Sequence, residues 1–415
     1  MNKFFRVFYV TAALFSFCAA ETLNPKTLAG FGSSVCSGQK AAKGSAYIDL
    51  LRNRLAQDGW AVTNVSRGGD STVTIQTRWQ PMYNGNGVQT NTGPFLLTAK
   101  PSYVLISLSL GNEKWNDTQF KSNLPGLISA CRSHGMMVAV AGCYSHGAMD
   151  AARYAQTRQV NLFVGQLDVP SINFFGSVDD GAGRWASGFQ FGTDALHPNT
   201  AGHGEMFHAI VPTLWQALEQ GKPIPERTVG EGHSLSGQSL EFISADPVHA
   251  FAEVFWVKAS ADGAIASIDA FSVSATNTPE RQFTPATEQS AVSLAVANGR
   301  LLYAGLGTNR ISAAVSKGWN MVALSHWYAR GETELYVNGV KAGSVQERCL
   351  PVRFTLNGAD FRDWFIYRSA LNSDEVALLN GGGMYKSSLE VYAPLNAGDL
   401  TNCAQSLSEI TLHGF

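Results

Sequence analysis

Hydrophobic and polar residues alternate in two different ways along the chain, and the change falls near residue 221. Before it, short apolar runs of strand length alternate with segments whose apolar residues recur at helical spacing. Because parallel strands need crossover connections, this alternation predicts an α/β fold with a parallel sheet covered by helices on both faces. The strand-like runs are Thr27 to Phe31, Ala61 to Val65, Tyr103 to Leu110 and Met136 to Ala141, and the helical faces are Tyr47, Leu50, Leu51 and Leu55, then Phe120, Leu124, Leu127, Ile128 and Cys131.

Beyond residue 229 the apolar runs become shorter and are separated by Gly, Asn and Ser, which predicts an all-β antiparallel jelly-roll sandwich. Asn338-Gly339 suits a type I′ hairpin turn, since both residues accept positive φ angles. Two prolines in the segment Gly221 to Arg227 cannot continue a helix, so residues 221–229 are predicted to be a linker between domains at 21–220 and 230–415. The runs are Ala252 to Val257, Met321 to Ser325, Glu334 to Val337 and Asp363 to Tyr367.

The first twenty residues have the pattern of a cleavable signal peptide, with Lys3 and Arg6 before an apolar stretch and small residues at 18–20. The apolar stretch is shorter than the roughly 20 residues that a spanning helix needs, although a membrane anchor or a buried strand stays an alternative. No other stretch is long and apolar enough to span a bilayer. We therefore expect an exported protein, periplasmic, extracellular or on the cell surface.

Charge and cysteine content narrow the partners and the chemistry. The net charge of -2 gives no electropositive field for a phosphate backbone, so nucleic acid is not expected as a partner. Five cysteines follow the predicted leader, so at least one thiol should be free. Export is consistent with a disulfide between Cys349 and Cys403, but the sequence leaves the pairing open.

Polar residues follow several of the predicted strands, at the edge where parallel sheets bind ligands. Ser34 follows the first run, a glycine pair at 68–69 follows the second, and the Asn112 amide follows the third. Near the end of the region, the spacing of Asp194 and His197 lets one carboxylate hold one imidazole. A nucleophile, a base with its orienting group and neutral hydrogen-bond donors are the set that acyl transfer requires.

In their order, these segments resemble the four sequence blocks of the SGNH (GDSL-like) hydrolase family over about residues 28–208. The resemblance implies a three-layer α/β/α, flavodoxin-like fold that works without a cofactor or metal. It implies Ser34 as nucleophile, His197 as general base and Asp194 as its orienting carboxylate. The oxyanion hole would consist of the backbone N–H groups of Ser34 and Gly69 with the Asn112 amide.

Two positions depart from the family pattern: Ser33 replaces an aspartate before the nucleophile, and Glu113 replaces an aspartate after Asn112. Neither belongs to the implied triad or oxyanion hole, so the departures concern only the fit of the rim.

Some of these residues, and others nearby, have competing assignments that the sequence leaves open. The nucleophile could instead be another residue of the first loop, although Cys36 is better explained as a small packing residue. Further along the chain, each candidate residue has a structural role as its alternative. Two histidines could instead form a zinc site, an Arg-Trp pair could lie in a substrate-binding loop, and a glutamate could be one acid of a glycosidase pair. The residues concerned are Ser33, Ser37 and Cys36 for the nucleophile, His203 and His208 for zinc, Arg184 and Trp185 for the loop, and Glu205 for the acid pair.

The second part of the chain resembles laminin-G or concanavalin-like sandwiches over about residues 230–395. In such domains the aromatic residues at Trp319, Tyr336 and Trp364 would be mainly core residues, and binding of sugar, protein or calcium stays open. The predicted function is a secreted serine esterase that removes short acyl groups, O-acetyl above all, from a glycan or small ester. A lipase or thioesterase on the same triad and a non-catalytic glycan-binding protein are the alternatives.

Overall fold

The computed structural model describes residues 24–228, 230–259, 261–276, 282–396 and 399–414. Its first part contains a five-stranded sheet in the order β2-β1-β3-β4-β5, in which every pair is parallel. The strands are β1 (Asn24–Gly32), β2 (Ala61–Asn64), β3 (Pro101–Ser107), β4 (Met137–Ala141) and β5 (Ser171–Ile172), and the helices are α1 (Tyr47–Ala56), α2 (Asp117–Ser133), α3 (Ala151–Gln166), α4 (Phe175–Val178), α5 (Thr200–His208) and α6 (Leu214–Glu219).

Alternate residues of these strands point to opposite faces of the sheet, as the pleat requires. Leu28 and Leu105 pack in a core with α1, α5 and α6. Ala29 and Ile106, their neighbours in sequence, pack in a second core with α2 and α3. Helices on both faces of a parallel sheet confirm the predicted three-layer α/β/α class.

The second part consists of two seven-stranded antiparallel sheets, ordered β12-β11-β10-β9-β16-β7-β19 and β15-β14-β13-β8-β17-β18 with β6 beside β17. Both contribute to one shared core, so they form the predicted sandwich. The elements are β6 (His233–Ser234), β7 (Gln238–Ile243), β8 (Phe251–Lys258), β9 (Gly263–Ala275), β10 (Phe283–Ala297), β11 (Arg300–Ala304), β12 (Arg310–Ala314), β13 (Asn320–Trp327), β14 (Glu332–Val337), β15 (Val340–Gln346), β16 (Cys349–Asn357), β17 (Asp360–Tyr367), α7 (Ser373–Asn380), β18 (Leu389–Ala393) and β19 (Ile410–Gly414).

Details of the sandwich follow the sequence pattern. Asn338 and Gly339 have φ values of 50° and 80° and join β14 to β15 as the predicted hairpin turn. Trp364 and Tyr336 are buried, which confirms them as core residues, while Trp319 is half-buried against the same cluster.

The two parts pack directly on each other. Helix α3 contacts α7, and an added Cβ at Gly165 would lie 2.1 Å from the Tyr385 ring. The backbone N–H of Lys386 donates to the Gly165 carbonyl, and the buried Arg368 side chain donates to the His208 carbonyl. Because the parts share this interface, the domain limits at 221–229 stay a prediction.

The predicted linker is tied to the sandwich at both ends. Arg227 pairs with Asp363 at 3.1 Å, and its guanidinium lies 4.2 Å from the centre of the Trp256 ring. Lys222 donates through Nζ to the Ser406 carbonyl at 2.6 Å. These contacts hold the segment against the second part of the protein.

The suggested disulfide is absent from the described residues, where all five cysteines are free thiols. Cys349 is buried in the sandwich with its sulfur 3.9 Å from His326 Nε2, whereas Cys403 donates to the Thr401 carbonyl. The pairing therefore fails because the two side chains have different neighbours. The predicted signal peptide lies outside the described residues. Within them, no helix has both the length and the apolar character needed to cross a bilayer.

Candidate active site

The sequence-predicted site residues lie on loops beyond the carboxyl ends of β1, β2 and β3 and on the segment before α5. That segment is held against the loop after β4, since the Gly147 N–H donates to the Ala195 carbonyl at 2.7 Å. The Trp185 indole donates to the same carbonyl at 3.1 Å. Trp185, considered above for a substrate-binding loop, therefore braces the Asp194–His197 loop.

His197 and Asp194 are in direct contact. His197 Nδ1 lies 2.9 Å from Asp194 Oδ2, and the Leu196 N–H donates to Oδ1 at 2.8 Å. Although partial burial opposes it, these hydrogen bonds lower the pKa of Asp194. His197 is 6% exposed, and its Nε2 atom has no hydrogen-bond partner among the described residues. The pair thus presents a free, fixed imidazole nitrogen.

Ser34 lies in a turn that connects back to the histidine side of the site. The Gln39 N–H donates to the Ser34 carbonyl at 3.1 Å, and the Gln39 carbonyl lies 3.2 Å from His203 Nε2 on α5. Within the described part of the chain, Ser34 Oγ makes no hydrogen bond, and the side chain is half-buried. Hydrogen bonds of catalytic groups often tighten only when substrate is bound.

Three hydrogen-bond donors stand where the oxyanion hole is predicted. The backbone N–H groups of Ser34 and Gly69 have no partner among the described residues. Gly69 has a φ of 83°, a conformation that favours glycine. An added Cβ at the adjacent Gly68 would lie 3.7 Å from Ser34 Cβ, so the two loops are neighbours. Asn112 Nδ2 donates to the Asp70 carbonyl at 2.9 Å, which leaves its second N–H available.

Buried charges brace the glycine loop. Asp70 pairs with Arg67 at 2.7 Å and with the fully buried Arg78 at 2.8 Å. Arg78 also donates to the Val65 carbonyl. Because a buried charge without a partner is costly, these contacts fix the loop that carries Gly69.

The two departures from the family pattern each have a local explanation. Glu113 is buried. One of its carboxylate oxygens accepts a hydrogen bond from the Thr72 N–H, and the other accepts one from the Gln119 amide at 2.7 Å. Its longer side chain thus ties the glycine loop to α2. Ser33 is buried with its hydroxyl 3.0 Å from the Tyr144 hydroxyl, so it is a neutral structural contact.

The rival nucleophiles are occupied elsewhere. Burial raises the pKa of the Cys36 thiol, which keeps it protonated and in the core. The Ser37 hydroxyl donates to the Ser34 carbonyl at 2.7 Å. Cys36 is therefore the packing residue that the sequence favoured.

The residues considered for zinc, for the substrate loop and for the acid pair also have structural partners. Burial lowers the pKa of His203 to about 4, and its Nδ1 accepts from the Tyr47 N–H. Burial lowers the pKa of His208 to about 2, and its ring stacks on His249 at 3.7 Å. Arg184 pairs with Asp180 at 2.9 Å, and Glu205 accepts from His249 at 3.0 Å.

The sequence reasoning missed several residues at the site. His146 lies beside Gly111 and near the Asp194–His197 pair, and burial, then the nearby Arg153, lowers its pKa. Lys40 reaches Asp194 from the turn after Ser34. Because His146 follows β4 at the same edge of the sheet, the sequence could have indicated it as a site residue. No local pattern indicated the pairing of Asp70 with Arg78.

A serine turn, an Asp–His pair and unpaired hydrogen-bond donors at the edge of a parallel sheet are the groups that a hydrolase site requires. The model of the GDSL-like lipase/acylhydrolase family matches residues 30–204 of this chain. This match supports ester hydrolysis.

Solved structures with related chains cover less than half of this protein. TesA is 21% identical over 47% of this chain and 98% of its own, with a TM-score of 0.36. A mutant of Axe2, an acetylxylan esterase from Geobacillus stearothermophilus, is 14% identical over 45% and 93%, with a TM-score of 0.35. A GDSL-like lipase from Bacteroides thetaiotaomicron is 13% identical over 47% and 89%, with a TM-score of 0.33. Comparison with curated proteins gives no match.

Proposed function

We propose that the protein is a secreted serine esterase that removes short acyl groups, O-acetyl above all, from carbohydrate. The observation that carries the proposal is the His197 imidazole, held through Nδ1 by Asp194 and buried with a free Nε2. The turn that carries Ser34 reaches this pair through Lys40, which lies 4.0 Å from Asp194, and it also borders the glycine loop, since an added Cβ at Gly68 would lie 3.7 Å from Ser34 Cβ.

The mechanism follows from these groups. His197 Nε2 takes the proton of Ser34 Oγ as the oxygen attacks the ester carbonyl, and Asp194 stabilises the resulting imidazolium. The N–H groups of Ser34, Gly69 and Asn112 bind the developing oxyanion. The imidazolium then protonates the leaving alcohol, and water, deprotonated by His197, hydrolyses the acyl-enzyme.

Two features support carbohydrate as the alcohol portion. The predicted export would bring the enzyme to extracellular glycans, and the sandwich that packs on the esterase part resembles domains that bind sugars. We propose that this sandwich contributes to holding an acylated glycan.

Replacing the proposed nucleophile tests the enzyme assignment. Ser34→Ala should lower kcat/KM for 4-nitrophenyl acetate by about 10⁴-fold or more, because no hydroxyl remains to form the acyl-enzyme. Ser37→Ala is the matched control, since its hydroxyl belongs to the same turn and bonds only to the Ser34 carbonyl. Unchanged activity in Ser34→Ala would show that another residue attacks.

Acyl chain length separates the esterase from a lipase or thioesterase. We expect 4-nitrophenyl acetate and butyrate to be cleaved with higher kcat/KM than the decanoate, and acetylated glycans to release acetate. A preference for long chains or for acyl thioesters would favour a lipase or thioesterase. Glycan binding with no hydrolysis in any assay would favour a non-catalytic protein.

A further inference from the structure

A lysine stands beside the triad and has no hydrogen-bond partner among the described residues. Lys40 Nζ lies 4.0 Å from Asp194 Oδ2, the same oxygen that contacts His197 Nδ1. Both Asp194 oxygens are already bound, by His197 and by the Leu196 N–H. In the described part of the chain no acceptor lies within hydrogen-bond distance of the Lys40 ammonium, whose side chain is 42% exposed.

The backbone places Lys40 at the edge of the candidate site. Lys40 has a φ of 70°, in the left-handed region that costs a side-chain-bearing residue about 1 kcal/mol. The turn is anchored through Gln39, whose carbonyl contacts His203 on α5. The lysine is therefore directed toward the Asp194–His197 loop by the same turn that carries Ser34.

An apolar surface lies next to the ammonium. Lys40 Nζ lies 5.0 Å from the centre of the Phe191 ring, and Phe191 is 43% exposed. Leu196, the residue before the proposed base, is 53% exposed. A cation beside an exposed ring fits a sugar ring that carries a carboxylate: the C–H face of the sugar packs on the aromatic ring while the carboxylate accepts from the ammonium.

We propose that Lys40 selects esters whose alcohol portion is an acidic sugar, with the carboxylate bound by Lys40 and the sugar ring packed against Phe191. This inference rests on the proposed function and names its substrate class. A phosphate or sulfate group is less well matched, because the rim offers a single ammonium rather than the fork of an arginine. Lys40 also lies close enough to Asp194 to tune the triad, and the test separates the two roles.

The test compares acetylated oligogalacturonides with the same oligosaccharides after reduction of their carboxylates to alcohols, with 4-nitrophenyl acetate as the neutral reference. The wild type should cleave the acidic oligosaccharide with the higher kcat/KM. Lys40→Gln should lower the ratio of kcat/KM on the acidic oligosaccharide to kcat/KM on the reduced one by about tenfold, mainly through KM on the acidic substrate. Lys40→Arg should retain most of the preference.

Lys43→Gln is the matched control, because it removes one positive charge from an exposed position on the same loop. It should leave the preference in place, which would show that net charge alone is not responsible. Equal losses of Lys40→Gln on acidic and neutral substrates would assign Lys40 to the triad and overturn the proposal.

Equal wild-type rates on the two oligosaccharides, or cleavage of 4-nitrophenyl acetate alone, would also overturn it. A wild type that does not cleave 4-nitrophenyl acetate contradicts the proposed esterase itself, so the two failures are distinct.

Discussion

At the scale of single residues, the candidate site contains polar atoms that form no hydrogen bond within the described part of the chain. His197 Nε2 and the backbone N–H groups of Ser34 and Gly69 have no hydrogen-bond partners among the described residues. Buried polar atoms are normally hydrogen-bonded, so the unpaired Nε2 of the buried His197 marks a place where a substrate completes the bonding.

Asn112 should contribute to catalysis more than to stability. Asn112→Ala removes one donor from the proposed oxyanion hole, which we expect to lower kcat by about 10²-fold or more with little change in KM. Asn123→Ala is the matched control, because its amide holds the same loop through Thr72 Oγ1 at 3.0 Å from outside the hole. Steady-state kinetics with thermal unfolding checks this, and similar losses of kcat in both variants would contradict it.

Glu253 should make stability depend on pH. Its carboxyl is buried, accepts from the Trp364 indole at 3.0 Å, and burial raises its pKa from 4.5 to about 8. Between these values the unfolded chain loses the proton that the folded protein keeps, so the free energy of unfolding falls as pH rises and levels off above pH 8.

Glu253→Gln removes this titration while keeping the shape of the side chain. The free energy of unfolding of the variant minus that of the wild type should therefore rise by a few kcal/mol from pH 4.5 to 8. Urea unfolding at several pH values measures the difference. A difference that is flat across this range would show that the carboxyl is not held neutral.

At the level of elements, the site depends on how firmly the glycine loop between β2 and β3 is held. Asp70, Arg78 and Glu113 are all buried, and together they join that loop to the end of β2 and to α2. The loop is thus a rigid part of the sheet edge.

Removing one partner of the buried pair should weaken both fold and activity. Arg78→Met leaves Asp70 with only the partly exposed Arg67, and we expect a loss of about 3 kcal/mol in the free energy of unfolding. Arg67→Met, at the exposed side of the same carboxylate, should cost about 1 kcal/mol or less. Combining Arg78→Met with Asp70→Asn should recover part of the loss in a double-mutant cycle, and strict additivity would contradict the pairing.

Element-level features divide into those with a local signal and those without one. Strands β1 to β4, the sandwich strands β8, β13, β14 and β17, the helices α1 and α2, and the Asn338-Gly339 turn were predictable because their periodicity and turn chemistry lie within a few residues. The Asp194–His197 pair was predictable from its short spacing. The Asp70–Arg78 brace, the place of Lys40 and the separate neighbours of Cys349 and Cys403 were not, because each depends on packing between distant segments.

At the scale of the whole molecule, the α/β part and the sandwich share a buried interface. Gly165 lies near the end of α3, and an added methyl group there would meet the ring of Tyr385, which is itself buried and bonded to Glu375. The close packing of the two parts therefore depends on residue 165 being a glycine, which has no side chain.

Two glycine substitutions in helices should differ in sign. Gly165→Ala should lower the free energy of unfolding by about 1–3 kcal/mol through overpacking against Tyr385. Gly126→Ala, on α2 with nothing within 4 Å of the added methyl, should raise it by up to about 1 kcal/mol. Thermal unfolding of both variants measures these changes in the free energy of unfolding. If both substitutions stabilise the protein, α3 and the sandwich are not in contact.

The anchored segment between α6 and β6 has a consequence for proteolysis. A protease must draw several residues of its substrate into an extended conformation, so it cuts most readily at loosely held connections. Here Lys222 and Arg227 bind the connecting segment to the sandwich. Limited digestion of the native protein should therefore spare this junction, and the esterase part would not be released from its companion while both remain folded.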